Sequence, residues 1–155
     1  MSKKLSASRW LSGILAAILL VPAVLSLAGV ITMRVVLTDS MVPKINPGDL
    51  VVSANWVKPG LGEVAIYHER DVLGDFQQDV VHRVITINEN HEYQFKGDNN
   101  QSMDALSVPQ ADVLGTVFLK VPGVGKLLTS AGLLFLLLII GGITAIVYGI
   151  RALRK

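Results

Sequence analysis

The chain has 155 residues, 51% of them apolar and only 17% charged, with a formal net charge of +2 and no cysteine. That length suits one domain, and the composition is too apolar for an ordinary water-exposed surface. The lack of cysteine removes disulfides, thiol nucleophiles and cysteine metal sites. The basic excess does not read as a nucleic-acid footprint, because all 12 acidic residues fall between Asp39 and Asp112 while the two ends carry only basic charges. A nucleic-acid face would place the cations inside the domain.

In chain order, residues 1–9 form a short basic segment with Lys3, Lys4 and Arg9. Trp10 to Met33 then contains no charged residue and no histidine. As a helix this run would reach about 36 Å, enough for a hydrocarbon core of about 30 Å, so a transmembrane helix is predicted over 10–33, kinked at Pro22. A cleavable secretory signal is the competing reading, since Ser26-Leu27-Ala28 is a small-x-small triplet. The run continues well past that triplet, which favours a retained anchor. A second uncharged run, Leu127 to Ile150, predicts a second span over 127–150, followed by the basic tail 151–155. Cationic ends outside two spans place both termini in the cytoplasm and residues 34–126 on the extracytoplasmic face of the cell membrane, or of the endoplasmic reticulum membrane in a eukaryote.

Between the spans the pattern is β. Asp49–Ser53, Glu63–Tyr67, Asp79–Ile87, Glu92–Phe95 and Val113–Leu119 are short runs rich in β-branched and aromatic residues. Turn chemistry separates them: Asn46-Pro-Gly-Asp, Lys58-Pro-Gly-Leu-Gly, Asn88-Glu-Asn and Gly97-Asp-Asn-Asn. The mixed-charge stretch Glu69–Gln78 has no clean period and reads as a surface loop. The fold class is therefore mainly β: a small antiparallel β domain over 34–126, set between two transmembrane helices.

Hydrolytic chemistry without cysteine needs serine, threonine, paired carboxylates or a metal. The histidines, His68, His82 and His91, lack short ligand spacing, so no metal and no cofactor are expected. Ser40 stands just outside the first apolar run, and His82 sits in the apolar strand Asp79–Ile87. An imidazole can take a serine proton and return it to a leaving amine. A carboxylate must then orient the ring, and Asp98 and Asp104 lie in the turn-rich KGDNNQSMD. Spacing alone leaves the plain reading open: a capping serine, a half-buried strand histidine and two turn aspartates.

Order and local context add more. Ser40-Met-Val-Pro followed by Pro-Gly-Asp-Leu-Val, then His82-Arg-Val-Ile, then Lys96-Gly-Asp-Asn-Asn with Asp104 six residues after Asp98, resembles type I signal peptidase over residues 34–121 and the preceding anchor. Most bacterial members have lysine where this chain has His82, so the resemblance is to the endoplasmic-reticulum and archaeal type. It implies a membrane-anchored serine endopeptidase that removes signal peptides after small residues. Ser40 is then the nucleophile, His82 the general base and Asp104 its support, with Asp98 holding the loop or assisting. The backbone N–H of Ser40 and the hydroxyl of Thr38 become the oxyanion donors. The chain departs from the family pattern at Thr38-Asp39 and at Leu61–Tyr67. Val42 and Ile45 are expected to line shallow pockets for small residues. Asn100-Gln101-Ser102 matches a glycosylation sequon inside the catalytic loop and is taken as accidental.

The implied partners are secretory preproteins, the lipid bilayer and the protein-translocation machinery. The rival from another class is a non-catalytic, membrane-anchored β domain that binds or assembles partner proteins. A self-cleaving serine regulator of related fold is disfavoured by the two apolar runs and the lack of a DNA-binding helical segment. A peptidase dedicated to a few precursors would differ only in substrate range.

Overall fold

The computed structural model describes residues 2–127. Apart from Leu127, the expected second span over 127–150 lies outside the described residues, as does the tail 151–155.

Helix α1 runs Ser2–Leu27 with Pro22 inside it. It is followed by β1 (Ile31–Val35), β2 (Leu50–Ala54), β3 (Val64–Arg70), β4 (Phe76–Ile87), β5 (Tyr93–Lys96), a 3-10 turn (Gln110–Asp112), β6 (Val113–Val121) and the short helix α2 (Val124–Leu127). The strands form one six-stranded sheet in the order β1-β2-β6-β3-β4-β5, with every neighbouring pair antiparallel. The mainly β, antiparallel expectation therefore holds.

Two boundaries differ from the sequence reading. The apolar run 10–33 is not one helix: α1 stops at Leu27, and Ile31, Thr32 and Met33 are in β1, paired with Ala54, Ser53 and Val52. The uncharged helical part is thus residues 10–27, about 27 Å long. Among the described residues no helix is found that is long and apolar enough to cross a membrane. The stretch Glu69–Gln78 is not a loop. It is the tip of the β3–β4 hairpin, with only 71–75 outside the strands, closed by Asp71, whose carboxylate accepts from the Leu73 and Asp75 N–H groups.

Strand alternation gives the sheet two apolar faces. Ala65 and Tyr67 of β3 join Val84, Tyr93, Phe95, Val108 and Val113 on one side. Ile66 lies on the other, with Val36, Met41, Ile45 and Val51. Burying side chains of this size stabilises by about 1.5–3 kcal/mol each before entropy is subtracted. Ile45 therefore belongs to the core rather than to an exposed pocket wall, and Val42 beside it is half-buried. Gly115 (φ +134°) lies in β6 beside the end of β2, and a Cβ there would sit 2.2 Å from the Ala54 carbonyl oxygen. Only glycine allows that approach.

Candidate active site

The loop that carries Ser40 follows β1 and is fixed to the turn after β5. The Ser40 carbonyl accepts from the Asn99 N–H at 2.7 Å, and the Asn99 side-chain amide donates to the Asp39 carbonyl at 3.3 Å. Met41, fully buried, packs beneath with its sulfur 3.5 Å from the Asp98 N–H. Gly97 permits the close approach, since a Cβ there would lie 2.7 Å from the Ser40 carbonyl oxygen. With the Asp39 carbonyl held from one side, trans-peptide geometry turns the Ser40 N–H the opposite way.

His82 is on β4, opposite Ala65 of β3, and is 7% exposed. Its Nε2 is 3.0 Å from Ser40 Oγ, and its Nδ1 is 2.7 Å from Asp104 Oδ2. Both distances are within reach for a nucleophile, a base and an orienting carboxylate. Thr38 Oγ1 lies 3.2 Å from Ser40 Oγ, on the exposed side.

Asp104 is positioned by backbone as well as side chain. Its N–H donates to the Phe95 carbonyl at 2.9 Å, and its carbonyl accepts from the Gln94 side-chain amide. Burial pushes its carboxyl up, but the hydrogen bonds from His82 and Tyr67 outweigh that and hold it below the ordinary aspartate value. The acid is therefore ionised at neutral pH.

Asp98 is placed elsewhere. It grips the Arg83 guanidinium with both oxygens, at 2.7 and 2.6 Å, while Arg83 also donates to the Gly62 carbonyl at 2.6 Å. The Arg83 hydrogen bond is the main cause that holds the Asp98 carboxyl below its ordinary value. Asp98 thus braces the turn behind His82 and leaves the imidazole to Asp104. The structure brings Ser40, His82, Asp104 and Thr38 into one constellation and sets Asp98 beside it.

Tyr67 and Asn99 also belong to the site, although no sequence pattern points to either. Tyr67 donates its hydroxyl to Asp104 Oδ2 at 2.7 Å, and its ring stacks on Phe95 with centroids 4.3 Å apart. Burial pushes its phenol far above the ordinary value, followed by the Asp104 hydrogen bond, so it stays protonated. The signals were faint: an aromatic at the end of a strand, and an amide inside the motif that holds the two aspartates.

A groove of about 1100 Å³ is lined by Tyr67 and Asp104 together with Arg70, Leu73, Leu106 and Asp112, but not by Ser40 or His82. It opens onto the carboxylate end of the constellation and not onto the hydroxyl. No protein-family model matches the chain, and no curated protein matches it.

Proposed function

We propose that the protein is a membrane-anchored serine endopeptidase of the signal-peptidase type, with Ser40 as nucleophile and His82 as general base. The observation that carries this reading is the continuous chain Ser40 Oγ–His82 Nε2, 3.0 Å, and His82 Nδ1–Asp104 Oδ2, 2.7 Å. Ser40 attacks the scissile carbonyl while His82 Nε2 takes its proton. The tetrahedral oxyanion is met by the Ser40 N–H and the Thr38 hydroxyl. His82 then returns the proton to the leaving amine, giving an acyl-enzyme that water, deprotonated by His82, hydrolyses. Asp104 keeps Nδ1 protonated and stabilises the imidazolium.

The membrane part of the proposal rests on exposed apolar surface. Trp10, Ile14, Ile18, Val24 and Leu27 of α1 are all exposed, and residues 10–27 put no charge on any face. A helix apolar on every side needs a nonaqueous neighbour. At about 27 Å its uncharged part is shorter than a hydrocarbon core of about 30 Å, so the proposal requires the bilayer to thin around it.

The pairing of β1, β2 and β6 places Met33, Val35, Leu50, Val52, Leu119 and Val121 on a common side. Leu119 and neighbouring Phe118 are 46% and 59% exposed. Chain entry at Ile31 and exit beyond Val121 are at opposite ends of these strands. For both uncharged runs to enter one bilayer, the strands must lie along its surface. Asn55 ties the exposed Trp56 loop to the end of α1, donating to the Gly29 carbonyl at 2.8 Å, so an interfacial tryptophan sits where the helix emerges. Anchoring confines enzyme and preprotein to one plane and raises their effective concentration.

The test is cleavage of a membrane-inserted preprotein, with small residues at the first and third positions before the cut, by the full chain in detergent or liposomes. Wild type is expected to cut and Ser40→Ala to fall to background. The rival, a partner-binding β domain, predicts no cleavage by either and no labelling of Ser40 by a serine-directed acylating probe.

A further inference from the structure

We infer that Tyr67 is a positioning residue for the reaction, setting the orientation of Asp104 and through it the activity of His82. The inference rests on the Ser40–His82–Asp104 reading and extends it by one member. Tyr67 and His82 donate to the same oxygen, Asp104 Oδ2, each at 2.7 Å. Tyr67 is 2% exposed, and its ring is held by the Phe95 stack, which Tyr93 extends with a 5.9 Å centroid separation. The phenol is thus a rigid donor with the carboxylate as its acceptor.

Two consequences follow from one oxygen serving two donors. The carboxylate is held in the rotamer that His82 requires, and part of its acceptor capacity is withdrawn from the imidazole. Asp104 therefore stabilises the imidazolium less than an unshared carboxylate would. This favours return of the proton to the leaving amine. Of the other charged groups near His82, Asp98 feels the imidazole only through space, from the turn after β5, and both its oxygens are bonded to Arg83. Lys44 of the Ser40 loop also acts on Asp98 through space.

The experiment is the pH profile of kcat/KM and the separate kcat and KM values for cleavage of a membrane-inserted preprotein. Wild type, Tyr67→Phe, Tyr93→Phe and Ser40→Ala are compared as full chains in one detergent. Tyr67→Phe keeps the stack and removes only the hydroxyl. It is expected to lower kcat about 10-fold with KM within twofold. It should also move the acidic limb to higher pH by about half a unit, because the freed carboxylate now favours the protonated base. Tyr93→Phe, which removes a hydroxyl from the same stack, is expected to leave the limb in place.

If Tyr67→Phe does not fold, 3-fluorotyrosine at position 67 decides, since it keeps the shape and is a stronger donor. The acidic limb then moves to lower pH. A Tyr67→Phe or fluorotyrosine protein with wild-type kcat and an unmoved limb overturns the inference while the catalytic reading stands. Undiminished cleavage by Ser40→Ala overturns the catalytic reading itself.

Discussion

The β3–β4 hairpin carries two histidines that each face an aspartate: His68 meets Asp79 of the same hairpin, and His82 meets Asp104 from the segment after β5, with Nδ1–carboxylate distances of 2.6 and 2.7 Å. What surrounds each pair sets them apart. The His82 side chain is 9% exposed and its other nitrogen meets the Ser40 hydroxyl. The His68 side chain is 32% exposed, packs edge-on to Phe76, and its aspartate is also clamped by Arg34. A guanidinium on Asp79 neutralises the charge that would stabilise an imidazolium, whereas the neutral phenol on Asp104 leaves that charge in place. A histidine beside an aspartate is thus insufficient. The third partner and the dryness of the site turn a pair into a candidate proton shuttle.

The contrast predicts unequal responses to equivalent substitutions. Asp104→Asn removes the charge and favours the wrong imidazole tautomer, so kcat should fall by roughly 10³-fold or more in the preprotein assay. Asp79→Asn should change kcat by less than about twofold, since it acts on a pair bonded to no nucleophile. Next in size is Thr38→Val. Loss of one oxyanion donor costs about 3 kcal/mol where the donor is essential, so about 10²-fold in kcat is the upper bound, with KM unchanged. An unaltered kcat would leave the backbone N–H of Ser40 as the donor and make Thr38 a strand-end residue.

Asp98 belongs to a different level of the comparison, because it holds structure and not the imidazole. Its carboxyl is below the ordinary value when folded, chiefly through Arg83. Its contribution to stability is therefore full above the unfolded aspartate value and lost as pH falls through the lower folded one. Arg83→Met leaves the carboxylate partly buried without its partner and should destabilise by about 3 kcal/mol at neutral pH. The loss should shrink in acid, as read by denaturant melts at two pH values. The smallest effect is expected from His68→Asn, within about 1 kcal/mol of stability, because the His68 side chain is 32% exposed and Asp79 keeps its Arg34 partner.

Much of this arrangement could be read from the residues. The strands around Leu50–Ala54, His82, Phe95 and Val113–Val121 are marked by β-branched residues between Gly, Pro and Asn turns. Ser40, His82 and Asp104 stand in an order that narrows their reading. The hairpin tip over Glu69–Gln78 is illegible in the sequence because most of its side chains are exposed, so backbone pairing and polar contacts such as Arg70–Asp112 and the Asp71 cap hold it without a hydrophobic alternation. β1 was hidden inside the apolar run, since a lipid-facing helix and a buried strand ask for the same residues; only Gly29 and the sheet partners of Ile31–Val35 end the helix. Tyr67 and Asn99 leave no mark in the sequence for a related reason. Each acts through a contact to a residue more than 35 positions away, and no local pattern encodes such a contact.

The most direct test of the central claim compares purified full-length wild type with Ser40→Ala on a membrane-inserted preprotein, following the released mature fragment by mass. Cleavage by wild type after a small residue, with Ser40→Ala at background and equally folded, is the predicted result. Equal cleavage by both proteins, or none by wild type, would contradict the account.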